Sequence, residues 1–257
     1  MGAHRRPEAG VPGMGGTQMT LFDNCCADIE SEYRRLGHRL GWRFLSGPKA
    51  TLSPASRIAF ITLNPGGDYD SPDHPHESQE AGSAYLVESW GDRPAGQSKL
   101  QIQVGALFGH LAARVGDGNR KALMNASLVG YFIPFRSPSY DTLVNKADSL
   151  NFGERLWARI FEHIEPQIVI TMDTNSFKRV RGIIKNRRPG DPERHVQLPT
   201  GWGNYMADVI HFGGSGNRVT LARLPHLSRF TIFTSSKCRA AVPRLMDEIA
   251  LADGVNR

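Results

Sequence analysis

The sequence predicts an α/β fold, a three-layer α/β/α sandwich around a central, mostly parallel four-stranded sheet. Three features predict it. Four short, nearly continuous apolar runs have the length and β-branched content of strands covered on both faces. Stretches with helical periodicity separate them, which implies βαβ crossovers and hence parallel pairing. No internal repeat and no interior low-complexity block points instead to a solenoid or a propeller.

In chain order, residues 1–18 are rich in glycine and proline, carry Arg5 and Arg6, and lack an apolar segment. They read as a flexible tail without a secretory signal, ahead of one domain over residues 19–257. Met14 and Met19 offer alternative starts. A helix is expected from Leu21 to Leu36. The four strands are expected at Arg57 to Asn64, Ala126 to Ile133, Gln167 to Asp173 and Arg218 to Leu224. Helices are expected over Lys99 to Val115, Leu150 to Ile164, Ser176 to Ile184 and Arg239 to Ala252. The third of these places Phe177, Val180, Ile183 and Ile184 on one face, the spacing of a buried helical stripe. Pro243 belongs in or near the first turn of the last helix, where its missing N–H costs nothing. Asp173 or Ser176 has the chemistry of an N-cap for the helix that follows.

The composition, 40% hydrophobic and 22% charged over 257 residues, excludes wholesale disorder. No apolar run approaches ~18 residues, so no membrane-spanning helix is expected. Cys25, Cys26 and Cys238 are the three cysteines. Without a C-x-x-C pair or a fourth thiol they exclude a disulfide scaffold and a four-thiolate zinc or iron–sulfur centre, and a cytoplasmic location is expected. The charge balance, 31 − 25 = +6, permits a polyanionic partner.

In parallel sheets ligands bind beyond the carboxyl ends of the strands, so the chemistry is sought there. The first strand runs into Asn64-Pro65-Gly66-Gly67-Asp68-Tyr69, where proline and glycine permit a tight turn and present Asn64 at the strand tip. Beyond the second strand, Pro134 and Pro138 bracket Arg136, which could meet an anion. Leu224-Pro225-His226-Leu227-Ser228-Arg229-Phe230 follows the fourth, placing a histidine able to act as donor, acid or base. The phosphate-loop pattern G-x-x-x-x-G-K-[ST], G-x-G-x-x-G after a strand, and G-x-S-x-G are all missing from the sequence, so no nucleotide cofactor and no nucleophile elbow are expected.

Asn-Pro-Gly closing the first strand, with Pro-His-Leu-Ser-Arg after the last, resembles the uracil-DNA glycosylase superfamily, most nearly its mismatch-specific and single-strand-selective branches. The likeness in layout covers about Arg57 to Ala252; the residue-level match lies in the two loops. The resemblance implies a DNA N-glycosylase of the base-excision repair class, monomeric and without cofactor, acting on a damaged or deaminated base in single- or double-stranded DNA. By the same resemblance Asn64 would position or polarise the attacking water. His226 would stabilise charge on the departing base, and Phe230 or its neighbours would wedge into the base stack. Pro65, Gly66, Gly67, Tyr69 and Tyr131 would form the base pocket, with Tyr69, Tyr85 and Trp90 as stacking candidates. Ser228, Arg229, Lys237 and Arg239 would contact DNA. Two positions depart from the family pattern. Anchored on Pro225, Leu224 falls where the family carries histidine or asparagine, so His226 takes that role only with a shifted loop. Anchored on Pro134, Tyr131 falls at the family's base-reading asparagine.

Other readings compete. Lys178, Arg179, Arg181, Lys185, Arg187 and Arg188 form a basic run that is either a phosphate-binding face or a solvated helix face. Asp70, Asp73, His74, His76, Glu77 and Glu80 could hold a metal for a metal-dependent hydrolase, although Pro72 and Pro75 interrupt them. A non-catalytic nucleic-acid-binding module on the same fold is the third.

Overall fold

The structure, a computed structural model, describes residues 19–67, 75–115, 118–214 and 218–251. The tail expected over residues 1–18 lies outside them.

Helix α1 (Leu21–Arg35) begins at Thr20, whose side chain accepts from the Asp23 N–H while Asp23 reaches back to the Thr20 N–H. This reciprocal box satisfies two of the N–H groups that a helix start leaves open. Strand β1 (Ile58–Thr62) is buried along its whole length. A single turn, α2 (Ala84–Val87), precedes α3 (Lys99–Val115) and α4 (Arg120–Ala126). Strand β2 (Leu128–Tyr131) leads to α5 (Lys146–His163), and β3 (Ile168–Thr171) to α6 (Thr174–Arg187). Asp173 is the N-cap of α6, accepting from the Ser176 N–H at 2.8 Å. Strands β4 (Glu193–Pro199), β5 (Met206–Phe212) and β6 (Val219–Arg223) follow, then α7 (Val242–Ala250), which carries Pro243 in its first turn.

The sheet has six strands in the order β2-β1-β3-β6-β5-β4, which corrects the expected four. The four expected strands are the parallel part: β1 pairs with β2 and β3, and β3 with β6. Strands β5 and β4 continue the sheet antiparallel from β6. The sheet is therefore mixed, though mostly parallel. Their absence from the sequence reading has a physical cause. Strand β4 is an edge strand, exposed over much of its length, and its Glu-Arg-His-Val-Gln stretch lacks an apolar run. Strand β5 interrupts its apolar residues with Asp208 and His211, and both polar side chains are buried with partners. The second expected strand is also shorter than its apolar run, spanning Leu128–Tyr131, and at its start Ala126 instead ends α4, which is capped by the Asn119 side chain.

Alternation along β1 divides the interior into two cores. Ala59 and Ile61 pack with residues of α1, α5 and α6, whereas Ile58 and Phe60 pack with residues of α3, α4 and α7. The α6 face read from the sequence, Phe177, Val180, Ile183 and Ile184, is buried in the first core. Among the described residues no helix is long and apolar enough to cross a membrane.

Close approach fixes how α5 sits beneath the end of β2. A Cβ at Gly153 would overlap the Phe132 carbonyl oxygen and press on the Phe132 ring. Trp157, four residues on and fully buried, donates from Nε1 to the Tyr131 carbonyl at 3.0 Å. Gly153→Ala is expected to destabilise the fold by about 1–3 kcal/mol through overpacking. Gly182→Ala in α6, where an added Cβ meets nothing within 4 Å, is expected to be neutral or to stabilise by up to ~1 kcal/mol. Urea unfolding of the two variants checks the contrast.

Candidate functional site

All four parallel strands deliver their carboxyl ends to one cleft of about 770 Å³. Thr62 to Gly67 enter it from β1, Tyr131 and residues 136–140 from β2, Met172 and Asp173 from β3, and His226, Ser228 and Arg229 from β6. Arg43, Tyr85, Trp90, Gly91 and Leu100 complete the lining. The position, beyond the strand ends beside the point where the chain order turns back at β1, is where open α/β sheets place ligands.

The loop after β1 is held from behind. The Ser137 N–H donates to the Pro65 carbonyl at 3.1 Å, and Arg136 Nη1 donates to the Gly66 carbonyl at 2.6 Å. Gly67 adopts φ 102°, a left-handed conformation that disfavours any side chain. Asn64 donates from Nδ2 to the Pro65 carbonyl at 3.0 Å and to the Ser137 carbonyl at 3.3 Å. Both amide hydrogens are thereby engaged. Among the described residues nothing donates to Asn64 Oδ1, which remains an acceptor lining the cleft.

His226 is constrained in a complementary way. Its Nδ1 lies 3.3 Å from the Ser228 N–H and 2.8 Å from Ser228 Oγ. A backbone N–H can only donate, so Nδ1 accepts and the neutral ring carries its proton on Nε2. Burial holds the His226 pKa below the usual histidine range, and Arg229 adds to the effect against an opposing pull from Asp173. The ring is nevertheless open to the cleft. Burial pushes the Asp173 carboxyl up, against hydrogen bonds from Ser176.

The wall carries an ion pair that sequence reading missed. Arg43 and Glu88 meet through two hydrogen bonds of 3.0 and 2.5 Å, with each side chain 4% exposed. Gln79 Nε2 and Trp90 Nε1 donate to the same carboxylate at 3.0 and 2.8 Å, and Arg43 Nε donates to the Leu45 carbonyl at 3.1 Å. Burial alone would raise the Glu88 pKa, but the Arg43 guanidinium and the two further donors hold it down at about 2. The available signal was a charge set inside the apolar stretch Trp42-Arg43-Phe44-Leu45. Tyr85, 3% exposed, packs edge-on against Trp90 with ring centroids 5.2 Å apart, so both of these stacking candidates line the cleft.

Asn64, Pro65, Gly66, Gly67, Tyr131, His226, Ser228 and Arg229 are thus brought together, whereas other candidates are not. Phe230 lies outside the lining; its ring packs on Tyr205 at 4.2 Å and near Trp202 at 6.4 Å. Lys237 and Arg239 are exposed at a short turn over Ser236–Cys238 and do not line the cleft. Tyr69 lies outside the described residues, as do Asp70, Asp73 and His74 of the metal-site expectation. Of that group, the His76 ring hydrogen-bonds the Trp42 carbonyl, and Glu80 accepts from Ser78 Oγ and the Lys49 N–H. Among the described residues no three His, Cys, Asp or Glu side chains form a group that could hold a metal. The basic run on α6 is largely paired: Arg179 with Glu154, Arg181 with Glu193, Arg187 with Glu165 and Arg188 with Asp191. Leu224 is fully buried in the core, and His226, Ser228 and Arg229 are the residues of its loop that line the cleft.

Compared with known proteins, the chain matches no family model and no curated relative.

The Glu88 carboxyl sits lower in the folded state than its ordinary value of 4.5, so its contribution to stability is fully present above that value and is lost as pH falls toward about 2. Glu88→Gln, which leaves Arg43 buried without a counter-charge, is expected to cost about 3–5 kcal/mol at neutral pH. It should also flatten the acid limb of the stability curve. Denaturant unfolding from pH 7 down to ~3 checks both parts.

Proposed function

We propose that the protein is a DNA glycosylase-like hydrolase that takes a damaged or deaminated base, flipped out of DNA, into the cleft and hydrolyses its N-glycosidic bond. One observation carries the reading. An asparagine with an unengaged carbonyl oxygen and a histidine protonated on Nε2, 162 positions apart (226 − 64), line the same cleft.

Breaking an N-glycosidic bond develops positive charge at the sugar and negative charge on the leaving base. Asn64 Oδ1 accepts a hydrogen bond from a water and orients it toward C1′ of the sugar. The Nε2–H of His226 donates to a heteroatom of the base as negative charge gathers there, lowering the barrier without a full proton transfer. As C1′–N breaks, the bonding pair leaves with the base; the water oxygen bonds to C1′, and its proton passes to solvent or to the departing base. Tyr85 and Trp90 supply the aromatic wall on which an extruded base stacks, and its unpairing is offset in part by that contact. Arg229 contacts the DNA backbone at the mouth of the cleft. The assignment is consistent with the likeness of the two loops to the uracil-DNA glycosylase superfamily.

A second reading is favoured by Tyr131, whose phenol lines the cleft where an amide would read a pyrimidine edge. Under it, the protein binds nucleic acid through the same cleft without excising a base.

A panel of oligonucleotides carrying uracil, hypoxanthine, xanthine or oxidised and alkylated bases, followed by alkaline cleavage, separates the two. Excision of at least one base is expected, with Asn64→Ala and His226→Ala each slowing turnover by at least ~100-fold while the fold is retained. Salt-dependent DNA binding with no abasic product from any substrate selects the binding module. Near-wild-type rates in both folded variants remove the assigned roles.

A further inference from the structure

We propose that Arg136 is an anion-binding residue that takes one phosphate group inside the cleft, beside the Asn64 loop. Arg136 is 8% exposed, yet among the described residues no carboxylate meets it. Its three nitrogens are differently placed. Nη1 donates to the Gly66 carbonyl at 2.6 Å, and Nε is sealed from solvent without an acceptor. Nη2 has no acceptor among the described residues and is not among the sealed atoms, so it is the part of the guanidinium with access to the cleft. A buried positive charge with one neutral acceptor is costly to hold, and an anion at Nη2 would remove that cost.

The surroundings reinforce the assignment. Arg229, which is exposed, also lines the cleft and meets no carboxylate among the described residues, whereas the buried Arg43 is neutralised by Glu88. Several arginines elsewhere follow the second pattern: Arg155 and Arg35 meet Glu32, Arg159 meets Asp28, and Arg223 meets Asp208. Of the carboxylates among the described residues, only Asp173 lines the cleft, and its side chain already caps α6. Among the described residues the cleft therefore holds two arginines, Arg136 and Arg229, that no carboxylate meets.

A phosphodiester beside the flipped nucleotide and the 5′-phosphate of a free nucleotide offer the same chemistry. The first deepens the glycosylase reading and rests on it: Arg136 would hold the backbone while its bond to Gly66 steadies the loop carrying Asn64. Guanidinium geometry suits two oxygens of one phosphate, which lysine cannot match.

The test begins with inorganic phosphate titrated into the full chain, following side-chain guanidinium resonances by ¹⁵N NMR. A saturable shift of the Arg136 signals is expected. Arg136→Gln should weaken phosphate binding at least ~10-fold, Arg136→Lys should restore it in part, and Gly182→Ala, on α6 outside the cleft lining, should leave it unchanged. No shift of the Arg136 signals at tens of millimolar phosphate overturns the site, and this reading needs no variant to fold. Unaltered phosphate affinity in folded Arg136→Gln overturns it equally. A deoxynucleoside 5′-monophosphate and an oligonucleotide with an abasic-site analogue then compete against phosphate. The ligand whose affinity falls in Arg136→Gln identifies the source, and if neither falls the proposal is wrong. Phosphate binding through Arg136 without any base excision removes the glycosylase and leaves the anion site. Excision at wild-type rate and oligonucleotide affinity in Arg136→Gln does the reverse.

Discussion

Parallel pairing of β1 with β2 and β3, and of β3 with β6, is the constraint on which the rest of the molecule depends. Parallel strands point their carboxyl ends the same way, so four loops far apart in sequence must emerge along one edge. The register is held from both sides. Alternate residues of β1 enter different cores, and a slip by one residue would exchange them. The antiparallel pair β5 and β4 extends the sheet beyond β6 and leaves the edge exposed on β4, away from the cleft-forming strands.

Within the cleft, each polar group is defined by what its neighbours leave unused. Two backbone carbonyls occupy the Asn64 amide hydrogens, and an N–H with a hydroxyl occupies His226 Nδ1. The remaining faces of these side chains, an acceptor and a donor, line the cleft. The buried Arg43–Glu88 pair does different work. The guanidinium of Arg43, the Gln79 amide and the Trp90 indole N–H are all directed at one carboxylate, which steadies the wall carrying Tyr85 and Trp90. Arg136 and Arg229 have no such counterpart among the described residues, and the proposed anion site rests on that contrast.

What could be read from the sequence followed from how each element is stabilised. The four parallel strands and the long helices announce themselves because burial on both faces, or on one stripe, forces an apolar pattern. Strands β4 and β5 did not, since cross-strand partners outside their own segments satisfy Asp208 and His211. Asn64 and His226 were legible because strand ends followed by proline mark where a sheet presents polar side chains. The Arg43–Glu88 pair was not, because its two halves are 45 residues apart and only the fold brings them together. Phe230, expected with its neighbours as a wedge, packs with Tyr205 and Trp202 outside the cleft lining, and in the basic run on α6, read as either a phosphate-binding or a solvated face, four arginines are ion-paired. Both differences arise from partners that local sequence cannot supply.

The central claim is that Asn64 and His226 address one and the same bound nucleotide. Its most direct measurement is an NMR titration of the full chain with an oligonucleotide bearing a nucleotide whose 2′-fluoro sugar resists hydrolysis, monitoring the Asn64 side-chain amide and the His226 imidazole together. The account predicts that both sets of signals shift along one saturation curve, with the His226 proton remaining on Nε2. Binding that moves neither residue, or only one of them, would contradict it.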